Sequence, residues 1–76
     1  MRKTRFLVSI GQKKCVFDSF LTAHKYVMFM INLMNMLIRD MEYDEPTNIE
    51  TIIAVGIQGD VTIVTVEPID SWEKED

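Results

Sequence analysis

Thirteen consecutive residues, Tyr26 to Ile38, contain eleven apolar side chains and two asparagines. No other segment constrains the fold as strongly. A membrane-spanning helix needs about 20 apolar residues, so this run is too short to cross a bilayer and reads instead as a buried helix. Asp18 or Ser19 can cap its start by accepting a hydrogen bond from an orphan backbone N–H. Tyr43-Asp44-Glu45-Pro46-Thr47-Asn48 supplies breakers and turn formers at its end. The pattern thus predicts one long helix over 18–42.

Placed around a helix axis at 100° per residue, Phe20, Ala23, Val27, Met30, Ile31, Met34, Ile38 and Met41 form a stripe suited to a sheet. Tyr26, Phe29, Leu33 and Met36 form a second stripe a quarter turn away. The total apolar arc is over half the circumference, whereas a one-sided helix needs only ~100°. The second stripe is therefore expected to be covered by another chain, first by a second copy, since two-fold dimers are the commonest oligomers. Methionine is unbranched and polarizable, so a methionine-rich surface repacks readily around a partner.

Strands flank the helix. Thr4 to Ile10 alternates, and Gly11-Gln12 suits a type II′ turn, because glycine accepts the positive φ required there. In the resulting 4–17 hairpin, Ile10 faces Lys13, Val8 faces Cys15 and Phe6 faces Phe17, with Leu7 and Val16 on the opposite side. A second hairpin spans 50–67 and turns at Gln58-Gly59 or Gly59-Asp60. Either turn puts Thr51, Ile53, Val55 and Ile57 in the core with Thr62, Val64 and Val66. The other face carries Ile52, Ala54 and Ile63, so neither is properly polar. Pro68 lacks an N–H and is expected to stop the strand, leaving 69–76 as an acidic tail. The predicted fold is α+β with the order ββαββ: a single domain, 1–76, with a four-stranded antiparallel sheet and one long helix packed across one face.

Seventy-six residues give a core of marginal stability, for which disulfides, metals or association compensate. Cys15 and His24 are the only residues of their types, so neither an internal disulfide nor a four-ligand zinc site is expected. No cofactor is expected either. No secretory leader is read at the start of the sequence, and the lone cysteine fits a reducing cytoplasm. The net charge of -4 is divided unevenly. Residues 1–39 carry seven lysines and arginines against Asp18, net +6, and residues 40–76 carry eleven acids against Lys74, net -10. The simplest reading is that the two halves lie side by side.

Little in the chain points to catalysis. Cys15 is placed on the inward face of its strand, and His24 has no evident third residue to orient it, so the constellation of roles is missing. The dispersed glycines form no phosphate loop. Arg2, Lys3, Arg5, Lys13 and Lys14 make the first hairpin basic, which suits a DNA groove. Phe6 and Phe17 point inward, however, leaving no outward platform for stacking bases. Trp72 is read either as packed back on the domain or as an exposed anchor for a partner.

The expectation is a non-enzymatic protein-binding module, a homodimer that regulates or inhibits a larger protein. In size and style it is similar to phage and mobile-element accessory proteins, including inhibitors of host defence. Tyr26, Phe29, Leu33 and Met36 are assigned to self-association. Asp40, Glu42, Asp44, Glu45, Trp72 and Glu73 are assigned to the larger target, which a basic nucleic-acid-binding protein would suit. The alternatives are a binder of small anionic ligands, with its pocket between subunits, and nucleic-acid binding through the basic hairpin.

Overall fold

The computed structural model describes the backbone of residues 2–72 and the side chains of 3–70. Among these residues, five strands and one helix follow the order β1 (Arg2–Ile10), β2 (Lys13–Phe17), α1 (Phe20–Leu33), β3 (Leu37–Asp44), β4 (Ile49–Val55) and β5 (Val61–Trp72). All strand pairs are antiparallel, in the spatial order β2-β1-β5-β4-β3. The α+β class holds, but the sheet has one strand more than the sequence predicts.

The extra strand comes from the predicted helix, which stops at Leu33 rather than running to 42. Asn35 takes φ +55°, the left-handed conformation that asparagine tolerates better than most residues. Met36 N–H donates to Ile31 O at 3.0 Å, and Asn35 N–H donates to Asn32 O at 3.1 Å. These are the two bonds of a Schellman cap, with Asn35 in the position usually held by glycine. The start agrees with the sequence: Ser19 is the N-cap and accepts from Thr22 N–H at 3.2 Å. Ile38 and Met41, assigned to the helix stripe, therefore lie on a strand.

β3 then returns beside β4 through a turn over 45–48. Within it, Asp44 accepts from Thr47 N–H at 3.3 Å and Tyr43 OH donates to Asn48 at 2.8 Å. Residues read as helix breakers thus close a hairpin. β3 carries a bulge at Arg39, because Ile38 pairs with Ala54 and Asp40 with Ile53. The extra residue shifts the alternation by one. As a result, Ile38, Met41 and Tyr43 share the helix side of the sheet, while Asp40, Glu42 and Asp44 share the other.

The first hairpin has the expected register, including Phe6↔Phe17, Val8↔Cys15 and Leu7↔Val16, and Gly11 takes φ +60° at its turn. The second differs. Its loop is the three residues Ile57-Gln58-Gly59, closed by Gly56 N–H donating to Asp60 O at 2.8 Å, with Gly59 at φ +85°. Both two-residue turns would have paired odd positions of β4 with even positions of β5. The observed register pairs Ile52 with Val64 and Ile53 with Ile63. The expected inward face of β4 is therefore reversed: Glu50, Ile52 and Ala54 are buried, and Ile53 and Val55 face away.

Pro68 does not end β5, which continues to Trp72. Its ladder with β4 ends at Glu50↔Val66, whereas its ladder with β1 runs on to Arg2↔Trp72. At Pro68 the strand has a neighbour on one side only, where a residue without an N–H is tolerated. The core lies between α1 and the inner sheet face. Ala23, Val27 and Ile31 meet Val8, Ile10, Ile52, Ala54, Val64 and Val66, with Met36 closing the end of the helix.

Candidate functional site

The sheet has two unlike faces. α1 covers the inner one. No described element covers the outer one, where the ladders place apolar residues side by side. Leu37 pairs with Val55 and Val55 with Val61, while in the next row Ile53 pairs with Ile63. Leu37 is 78% exposed and Ile63 58%, and Val61 is also exposed. Such residues are unremarkable when scattered, but a contiguous patch marks an interaction surface. Sequence reasoning missed this one because the inverted β4 register put Ile53 and Val55 in the core. The available signal was that neither face of the second hairpin is polar.

Charges of opposite sign border the outer face. At one edge, Asp40, Glu42 and Asp44 line β3 at every second residue. At the other, β1 and β2 carry Lys3, Arg5 and Lys14, with Asp18 bridging to Lys3 at 3.8 Å and to Arg5 at 3.4 Å. One cross-strand row joins the two edges: Lys14–Ser9–Thr65–Thr51–Glu42. Among the described residues, these cations of β1 and β2 and the carboxylates of β3 thus lie toward opposite edges of the outer face.

Of the four residues assigned to self-association, Tyr26, Phe29 and Leu33 share a stripe of α1 and Met36 does not. Met36 lies off the helix and is only 8% exposed, inside the core. Tyr26 is half-buried, its ring 4.9 Å from that of Phe17, and its OH accepts from Cys15 Sγ at 3.6 Å. Phe29 and Leu33 remain exposed, four residues apart on the helix. Of the residues assigned to a target, Asp40, Glu42 and Asp44 line the acidic edge and Glu45 begins the adjoining turn. Trp72 ends β5 opposite Arg2, while its side chain and Glu73 lie outside the described residues.

A buried polar pair sits on the inner face. Glu50 is only 5% exposed, and its Oε1 lies 2.9 Å from His24 Nδ1, where the ring N–H donates to the carboxylate. Phe20 stacks on the His24 ring at 6.0 Å and meets Tyr43 edge-on at 6.0 Å. His24 is thus engaged with Glu50, and Cys15 with Tyr26. A shallow cleft of about 350 Å³ opens past the C-terminal end of α1, among Met34, Asn35, Met36, Gly56, Ile57, Gln58, Asp60 and Thr62. Its only charged lining residue is Asp60. The described residues contain no helix long and apolar enough to cross a membrane.

No family model, curated protein or solved structure matches the chain.

Proposed function

We propose that this protein is a non-enzymatic protein-binding module whose working surface is the outer face of its sheet. The observation that carries the reading is the row of apolar pairs Leu37, Val55 and Val61 beside Ile53 and Ile63, left without a second layer. A two-layer α/β domain normally keeps the solvent side of an antiparallel sheet polar. An open apolar face with charged rims suits another protein better than a small molecule, which prefers an enclosing pocket. The finer biological reading is regulation or inhibition of a larger protein in a reducing cytoplasm. It is supported by the small size of the chain, its free half-buried thiol and the exposed helix residues Phe29 and Leu33.

The small-ligand alternative is less well supported, since the cleft beside Asp60 has no lysine or arginine to hold an anionic group. Direct nucleic-acid binding is less favoured too, because Phe6 and Phe17 pack toward the core and Asp18 bridges to Lys3 and Arg5. A photo-crosslinking residue at position 63 tests the main reading, with position 22, on the solvent side of α1, as the control. A protein adduct is expected from position 63, in the pure protein or in a cell extract, and none from position 22. Absence of any protein adduct at position 63 would overturn the assignment.

A further inference from the structure

We infer that the occupant of the outer face is a second copy of this chain, turned about a two-fold axis that runs along the strands between β5 and β4. The inference rests on the outer face being a protein interface and adds the identity and orientation of the partner. A two-fold interface must be self-complementary, because each copy offers the same patch to the other. The row Lys14–Ser9–Thr65–Thr51–Glu42 meets that condition only when reversed, since it is basic at one end and acidic at the other. Rotation about an axis along the strands reverses the row. It carries the acidic β3 of one copy over the basic hairpin of the other. An axis across the strands would set Asp40, Glu42 and Asp44 against their own copies, which like-charge repulsion disfavours.

The position of the axis follows from the side chains beside it. Placed on β5, it would face Glu67 with its own copy. Moved between β5 and β4, it brings Ile63 over Ile53 and Val61 over Val55 of the second copy, so these four residues of the apolar patch pack on their copies. β1 then lies under the second copy's β3, and Lys14 is one strand spacing, about 4.8 Å, to the side of that copy's Glu42. Packed sheets cross at roughly 30°, which displaces the outer strands along their length. Three carboxylates at alternate positions span about 13 Å and keep one within reach of the lysine. Ser9, Thr51 and Thr65 are small enough for the sheets to approach to their usual ~10 Å.

Size and edges agree with this arrangement. The molecule extends 48 by 27 by 19 Å, so its broad side can bury the ~800 Å² per partner typical of stable complexes. Edge-to-edge association through β3 is opposed by its three carboxylates and its bulge, devices that blunt sheet edges. The assembly is then a sandwich of two sheets with the helices outside. Phe29 and Leu33 point away from the interface and stay exposed.

The experiment pairs sedimentation with charge reversal. The intact protein is expected to sediment at twice 8.9 kDa. Lys14→Glu and Glu42→Lys alone should each weaken the dimer by roughly tenfold or more, because every dimer contains the contact twice. Mixing the two variants should restore dimers that contain one of each. Circular dichroism and the unfolding midpoint confirm that each variant is folded. An intact protein that stays monomeric, or reversals that neither weaken the dimer nor rescue each other, would overturn the inference. A monomer that still forms an adduct to a different protein at position 63 would leave the outer-face reading standing and remove only the second copy. Absence of any adduct would remove both.

Discussion

Asn35 decides where the helix ends and so whether β3 exists. Its φ of +55° costs an ordinary L-residue on the order of 1 kcal/mol and costs glycine almost nothing. Asn35→Ala should therefore destabilise the protein by ~1 kcal/mol, and Asn35→Gly should be neutral or slightly stabilising, as chemical denaturation will show. Glu50 illustrates a different kind of residue. Its carboxylate is buried against His24, and His24→Ala would leave it without that donor. A loss of about 1–3 kcal/mol is expected in unfolding experiments, larger than for Asp44→Ala on the exposed edge. Its burial is not legible in the sequence, because burial of one carboxylate depends on the register of its strand. Ser19, by contrast, was legible as the cap, since capping is a local hydrogen bond that composition alone suggests.

At the scale of elements, local chemistry was readable and parity was not. The first hairpin follows from alternation and a glycine at its turn, and its register is as expected. The second hairpin carries the same signals, yet one additional loop residue exchanges the faces of β4 while those of β5 stay as expected. β3 was hidden because Met36, Leu37, Ile38 and Met41 continue the apolar pattern of α1, and the bulge at Arg39 breaks the alternation that would have exposed a strand. The bulge itself can be tested. Deleting Arg39 would make the β3–β4 ladder regular while leaving Ile38, Asp40 and Met41 on their present faces, so stability should change by no more than about 1 kcal/mol. Deleting Met41 instead would reverse the remainder of β3 and should unfold that edge. The two apolar residues that end the predicted second stripe also separate cleanly. Leu33→Lys, at an exposed site, should shift stability by less than ~1 kcal/mol, whereas Met36→Ala, in the core, should cost about 2 kcal/mol or more.

At the scale of the whole molecule, the sheet is held together from its centre. β5 pairs with β1 on one side and β4 on the other, joining the β1–β2 and β3–β4 pairs. Amides of β5 between Val61 and Val66 should be among the slowest to exchange with solvent, and those of the outer strand β3 among the fastest, in hydrogen-exchange mass spectrometry. Equal protection of the two strands in the monomeric charge-reversed variants would contradict that order. The class of the fold was legible, because one helical segment between two alternating hairpins leaves few arrangements. The order of the strands was not, since nothing local in Val61 to Trp72 says which neighbours it will take.

The central place of β5 also bears on how the chain comes to be folded. Its partners on β1 lie 54 to 70 positions earlier in the sequence. The β1–β2 and β3–β4 hairpins can each close before β5 is made, but they have no ladder between them until β5 is inserted. Contacts across such a separation carry a loop-closure cost and form slowly. Until β5 is made, the two ribbons are unjoined and the core lacks Val64 and Val66, a stage at which exposed apolar surface favours aggregation.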